Sequence, residues 1–256
     1  MERYELLNGD SNADRYDLED KVIREMTAQQ TGQGREQDKQ RSEQMVHELV
    51  QRIDGHPGDA DAYYELATVL VDLNSFAQAE ELLMKALGLF AAQPATVEKL
   101  HYGLGNVYYA AQDYTKAIAQ FDQLGAQLKG AGYLMMAQSY MASGDHKRAL
   151  VFGLTALGSQ PKDVATLQVV AENLLALGNM AQAAQYYDQV LQLDANNGRA
   201  NFDRGLVAMV QGENYGPYFK AAQTLDPAYF EKGQKKLADI ERFIQTQKGQ
   251  PDTPEQ

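Results

Sequence analysis

Cysteine is absent from the 256-residue sequence, which excludes disulfides, thiolate metal sites, iron–sulfur clusters and cysteine nucleophiles. Long apolar runs are missing too: nothing approaches the 18 or more residues of a membrane span. The opening residues Met1-Glu2-Arg3-Tyr4-Glu5 hold no apolar stretch of signal-peptide length, so the expected location is cytoplasmic and no membrane is implied. Basic residues are the minority, 23 against 35 acidic, for a formal charge of −12. A field of that sign opposes a grip on phosphate backbones or anionic lipid, and nucleic acid is not an expected partner. The hydrophobic fraction of 44% is enough for a packed core.

What the chain does have is self-similarity, and a period must be found before any element is assigned. Ala62-Tyr63-Tyr64-Glu65-Leu66-Ala67, followed by Phe76-Ala77-Gln78-Ala79-Glu80, recurs as Leu104 to Tyr109 with Tyr114-Thr115-Lys116-Ala117-Ile118. It returns as Tyr133 to Tyr140 with Ala149, as Leu167 to Leu174 with Ala183, and in a worn copy from Gly198 to Pro227. Aligned on Ala67, Gly105, Ala137, Ala171 and Gly205, the spacings are 38, 32, 34 and 34. Small residues at those places, and at Ala79, Ala117, Ala149 and Ala183, let two helices approach to roughly 8–10 Å. Leu66, Leu70, Tyr108, Phe121, Tyr140, Leu174, Tyr187 and Phe219 then fill the space between repeats. Turn residues stand at Asn74-Ser75, Gln112-Asp113, Gly144-Asp145, Gly178-Asn179 and Gly212-Glu213.

This pattern resembles the tetratricopeptide repeat, a 34-residue helix–turn–helix unit, over about residues 60 to 227. The resemblance implies an all-α fold: a right-handed α-solenoid of helix-turn-helix repeats with capping helices at both ends. Four repeats match well and a fifth is degenerate, with Gly216-Pro217 where its second helix begins. The long first spacing predicts either that the second helix of the first unit extends through Leu89-Phe90 or that a loop precedes Pro94.

A terminal repeat needs a cover for its apolar face. Met45, Val46, Leu49, Val50 and Ile53 predict a capping helix or half repeat over residues 45–58. Phe230, Leu237, Ile240 and Ile244 predict another over 228–247, so that the solenoid itself occupies 59–227. Residues 1–44 read as a polar segment with one short helix (Leu18, Val22, Met26) and a Gln-rich linker, and 248–256 as a disordered tail.

Reactive chemistry is mostly withheld. His47, His56, His101 and His146 are scattered, with no partner at the spacing of a metal or nucleophile motif. Gly125 to Gly130 has the glycine spacing of a phosphate loop but lacks the strand and the Lys-Ser/Thr ending. Gly103-Leu104-Gly105 gives half a dinucleotide fingerprint inside a predicted helix. Carboxylate pairs such as Glu80-Glu81 carry no sign of the apolar pocket that catalysis needs. No enzyme, cofactor or metal is expected.

In the resembled family the first helix of each repeat lines a concave wall, with the second, fifth, ninth, twelfth and thirteenth places facing the groove, of which the fifth, ninth and twelfth are followed here. Carried onto this sequence, these are Tyr64, Tyr102, Leu134, Gln168 and Phe202; Thr68, Asn106, Gln138, Glu172 and Leu206; and Val71, Tyr109, Met141, Leu175 and Met209. Aromatic and thioether side chains offer adaptable apolar contact, and the polar row offers hydrogen bonds to an extended peptide. The expected function is a scaffold for a peptide or partner helix in the groove. The alternative is a receptor that closes on a short signalling peptide. The Lys, Asn and Arg of the chaperone-adaptor carboxylate clamp have no counterparts at Tyr64, Thr68, Gly103, Ala131 and Met135, so chaperone-tail binding is not implied.

Overall fold

The computed structural model describes residues 33–248, and among them it holds twelve α-helices and no strand. They are α1 (Gln33–Gly55), α2 (Ala60–Asp72), α3 (Phe76–Leu89), α4 (Pro94–Ala110), α5 (Tyr114–Asp122) and α6 (Lys129–Ala142). There follow α7 (His146–Ser159), α8 (Val164–Ala176), α9 (Met180–Leu193), α10 (Gly198–Gln211), α11 (Gly216–Leu225) and α12 (Pro227–Lys248). No described helix is long and apolar enough to cross a membrane. The fold class is an all-α solenoid of helical hairpins, from α2–α3 to α10–α11. The short helix expected near residues 14–27 and the tail expected at the C-terminus lie outside the described residues, apart from Lys248.

Local chemistry explains the punctuation. Asp59, Asp113, Asp145, Asp163, Asn179 and Asn197 each cap a helix by accepting backbone N–H groups of its first turn, a contact worth about 1 kcal/mol. Each hairpin turns through one residue of positive φ: Asn74 (59°), Gln112 (62°), Gly144 (81°), Gly178 (77°) and Gly212 (72°). The later three use glycine, which enters this region without a Cβ penalty. These are the turn positions read from the sequence.

The chain divides into two compact units, the first ending at Gly132 and the second beginning at Tyr133. In the first, α1 starts at Gln33 rather than Met45, so part of the stretch read as linker is helical. Gln, Glu, Lys and Arg are good helix formers even without an apolar stripe. The surplus behind the long first spacing lies elsewhere than expected. The second helix of the first hairpin, α3, has 14 residues, like α7 and α9. It is α4 that is long, 17 residues against 13 in α8, with Pro94 supplying a pre-set φ at its start. Its partner α5 is short, with only 9 residues. Glu98, the residue next after the extra turn of α4, accepts the Leu128 N–H at 2.7 Å and thereby ties down the segment that follows the shortened helix.

At Gly105 an added Cβ would lie 2.4 Å from the buried Phe121 ring, which is why a small residue stands there. Tyr108, also buried, donates its hydroxyl hydrogen bond to Glu80 Oε1 at 2.7 Å. Burial first, then the Glu80 carboxylate, pushes the Tyr108 phenol up to about 12. An unfolded tyrosine ionises near about 10, so between the two values the folded chain holds one more proton than the unfolded one. The contribution of Tyr108 to stability is therefore intact below about pH 10 and lost as pH rises through about 12. Urea midpoints measured across that window should fall less steeply in Tyr108→Phe than in the wild type; equal slopes would contradict the assignment.

In the second unit, Leu167, Val170, Leu174, Tyr187, Val190 and Val207 form one core cluster of α8, α9 and α10. Phe202, Leu206 and Ala222 form another, against which Phe219, Tyr229, Phe230, Leu237 and Ile240 pack. The second cluster seats α12 on α10 and α11, the position of a C-terminal cap. Two glycines permit the approach: a Cβ at Gly205 would lie 2.7 Å from Phe219, and one at Gly233 would lie 2.1 Å from Phe202.

Candidate functional site

The expected wall residues fall into three groups. In the first unit Tyr64, Tyr102, Asn106 and Tyr109 are half-buried and Thr68 is exposed. Tyr64 lies against Gly103, whose missing Cβ would sit 2.9 Å from its ring, and carries Lys99 Nζ over its face at 4.8 Å. Gly103 and Gly105 thus have packing reasons within α4. Tyr102 leans on Phe121 with ring centroids 5.9 Å apart, and Tyr109 on Tyr114 at 5.7 Å. Thr68 donates to the Tyr64 carbonyl at 3.0 Å, so its hydrogen is spent within its own helix. Asn106 Oδ1 is buried without a hydrogen-bond partner.

In the second unit Leu134, Gln138, Met141, Gln168, Glu172 and Leu175 are half-buried. Gln168 donates to Glu172 Oε1 at 2.9 Å and accepts from Asn197 Nδ2 at 3.3 Å.

Phe202, Leu206 and Met209 form the third group, and here the expectation is corrected. Phe202 is 1% and Met209 5% exposed, and the Phe202 ring is enclosed by Phe219, Tyr229 and Phe230 at centroid distances of 5.6 to 5.7 Å. The place that faces a groove in an inner repeat is here covered by the cap. Phe202 and Met209 belong to the core, and Leu206, itself buried, lines a cavity.

That cavity is the candidate site. A hollow of about 1300 Å³ in the second unit is walled by Met141, Leu175, Met180, Val210 and Ile240, with His146, Lys232, Lys235 and Asp239 among its polar lining. His146 Nδ1 lies 2.9 Å from Asn173 Oδ1, whose amide in turn donates to the Val169 carbonyl at 2.7 Å. Glu172, Tyr187, Asp203 and Tyr229 also line it. Tyr229 donates to Asp203 Oδ2 at 3.1 Å. The Tyr187 hydroxyl is buried with no hydrogen-bond partner. Burial, then the neighbouring Asp203 and Glu172 carboxylates, push the phenols of Tyr187 and Tyr229 well above their ordinary value, since both disfavour the phenolate. Arg199 approaches from outside, its guanidinium 4.9 Å over the Tyr229 ring and 3.7 Å from Glu172 Oε1.

Of the residues expected from the sequence, the hollow gathers Met141, Glu172, Leu175 and Leu206. Tyr187, Asp203, Tyr229 and the lysines of α12 were missed. Tyr187 was read as inter-repeat filling, which its ring is, but the position of its hydroxyl depends on how α9 packs against α10. Tyr229 and Lys232 lie at spacing 3 on α12, outside the apolar stripe of Phe230, Leu237 and Ile240 by which that helix was read. Among the described residues no group of three or more His, Asp or Glu is placed to hold a metal ion.

Capped helices paired through small-residue crossings, with punctuated turns of positive φ, define a helical-hairpin repeat protein. Residues 64–129 and 171–215 match the family model of the tetratricopeptide repeat, so the chain carries tetratricopeptide repeats over those residues. Solved structures of the same fold include pilF of Pseudomonas aeruginosa, at 19% identity over 87% of this chain and 99% of that one, with TM-score 0.64. YrrB, titled a TPR protein with an unusual peptide-binding site, is 20% identical over 73% of this chain and 97% of its own, with TM-score 0.53. MamA is 15% identical over 67% and 97%, also with TM-score 0.53. Among curated proteins, none matches the sequence.

Proposed function

We propose that the chain is a non-enzymatic interaction module that holds a segment of a partner protein along the first helices of its repeats, with the hollow of the second unit as a principal point of capture. The observation that carries this reading is the hollow itself. Its volume of about 1300 Å³ exceeds the roughly 300–1,000 Å³ of small-molecule sites, so it suits a stretch of polypeptide better than a metabolite. Its walls are aliphatic and thioether side chains that adapt to varied shapes. Burying each large apolar side chain returns roughly 1.5–3 kcal/mol, and a micromolar complex needs about 8 kcal/mol net, so a few such contacts with some polar pairing suffice. The fold likeness to YrrB, whose title names a peptide-binding site, is consistent with this use of the scaffold. Half-buried Tyr64, Tyr102, Asn106 and Tyr109 extend the reading to the first unit, where Asn106 Oδ1 offers an unused acceptor.

Random peptides displayed on phage and selected against the full chain test this reading. Met141→Glu combined with Val210→Glu places two charges on the wall, and Val210 is 44% exposed, so the fold tolerates its change. Selected peptides should bind this variant at least about tenfold more weakly while its thermal melt stays unchanged. Equal binding to both proteins would refute the hollow as the site.

A further inference from the structure

Along α6 to α10 the hollow has two ends of different chemistry. Met141, Ala142, Ala176 and Val210 stand in the last turns of α6, α8 and α10, and His146 and Met180 open α7 and α9, so these side chains share the hairpin-turn edge. Asp203 and Tyr187 line the hollow seven residues from Val210 and Met180, about 10 Å away along their helices. Glu172 turns toward that same end, to Gln168 and Arg199. Lys232, Lys235 and Asp239 belong to α12 and are exposed. In the apolar end the His146 ring has one fixed role. Asn173 is buried, and its amide nitrogen donates to the Val169 carbonyl, so its Oδ1 accepts from the imidazole. The proton is therefore on Nδ1, 2.9 Å away, and the neutral ring keeps a lone pair at Nε2. Nε2 has no partner among the described residues and is not one of their buried unsatisfied atoms, so it is accessible from the hollow that the ring lines.

Resting on the reading above, the geometry points to a tryptophan side chain of the partner segment as the occupant of this end, its indole N–H donating to His146 Nε2 while its ring packs on Met141 and Met180. The choice follows from matching one acceptor in apolar surroundings. Indole carries a single donor and no acceptor, so it satisfies Nε2 and strands no polar atom of its own. An amide or hydroxyl side chain brings acceptors as well, and burying those unpaired costs more than the bond returns. A cationic head carries surplus donors into the same apolar end, and phenylalanine or leucine leaves Nε2 without any. Thioethers make favourable contacts with aromatic rings, and Ala142 and Ala176 have no side chain beyond Cβ to narrow the space between them.

Fluorescence-polarisation titrations of the full chain with hexapeptide pools, each holding one fixed residue and five randomised, test this contact. They are run at about pH 8, above the range in which histidines change charge. The fixed residue is tryptophan, 1-methyltryptophan, phenylalanine, leucine or glutamate; the N-methyl compound keeps the ring and loses the donor. Tryptophan pools should bind about three- to tenfold more tightly than 1-methyltryptophan pools, the size of one neutral hydrogen bond, and more tightly than the other three. His146→Leu should erase the difference between the two tryptophans, and if that variant fails to fold, His146→Phe takes its place. Equal binding of the two tryptophan pools, or a difference that survives loss of the imidazole, overturns the inference. Tightest binding by the phenylalanine, leucine or glutamate pools overturns it as well and leaves the peptide-binding reading standing. Failure of every pool to bind the wild type overturns both.

Discussion

Phe202→Ala should destabilise the second unit by about 3–5 kcal/mol and release α12. Read along the sequence, Phe202 stands at a groove-lining place, where truncation would weaken a partner and leave the fold alone. In the structure it is 1% exposed and meets three aromatic rings, two of them edge-on at about 90°. Edge-to-face pairs add about 0.5–1.5 kcal/mol each beyond the area they bury. The ring also fills the space left by the absent Cβ of Gly233, 2.1 Å from where that atom would be. This contact gives the prediction a second, sharper form. By helix propensity, Gly233→Ala should stabilise α12 by about 1 kcal/mol; by packing against a ring with nowhere to move, it should destabilise by about 1–3 kcal/mol. Packing should win in the wild type, and the sign should reverse in the Phe202→Ala background, where the added methyl enters a cavity. Urea unfolding of the four proteins gives the coupling directly. Additive effects would mean that the cap is not seated through this pair.

The contrast at Phe202 shows which part of the molecule is legible in its sequence. Features set by neighbours within one hairpin are read correctly. Gly105 and Gly205 stand where Phe121 and Phe219 must approach, and Gly144, Gly178 and Gly212 fall on the left-handed turn residues, because both depend on a few consecutive residues and a fixed helical period. Features set by an irregular element are not. The repeat pattern assigns Phe202 to a groove because it assumes that another first helix follows at the usual offset. Instead α11 is 10 residues long and α12 comes down over α10. The extra turn of α4 escapes for a related reason: four surplus residues can enter a helix or a loop, and the spacing alone does not decide between them. For the candidate site, Met141, Glu172 and Leu175 follow from the period, whereas Tyr187, Asp203 and Tyr229 come together from α9, α10 and α12, a juxtaposition that no local spacing encodes.

Removing both carboxylates that face Arg204, by Asp188→Asn with Glu213→Gln, should cost about 3–5 kcal/mol, although both are half-exposed and look dispensable. Arg204 is the unusual partner. Its side chain is 8% exposed, its Nε donates to Asp188 Oδ1 at 2.8 Å and its Nη1 to Glu213 Oε2 at 3.0 Å, and its guanidinium lies 5.1 Å from the centroid of the Tyr218 ring. Because arginine keeps its charge at any accessible pH, deleting the carboxylates strands a buried cation that cannot neutralise itself. The reverse change is milder. Arg204→Met leaves Asp188 and Glu213, which are 44% and 47% exposed at their side chains, free to turn to water, and it replaces the stem with one of similar reach, so a loss of about 1–2 kcal/mol is expected. The asymmetry is the test. If Arg204 were an ordinary surface ion pair, both changes would fall within about 1 kcal/mol; if it is a buried charge held by two arms, the carboxylate double variant should melt well below Arg204→Met. The triple variant, with no charge left to strand, should then recover most of the difference, and a triple variant no more stable than the double would show that the damage lies in packing around α9 and the turn after α10 rather than in the unpaired cation.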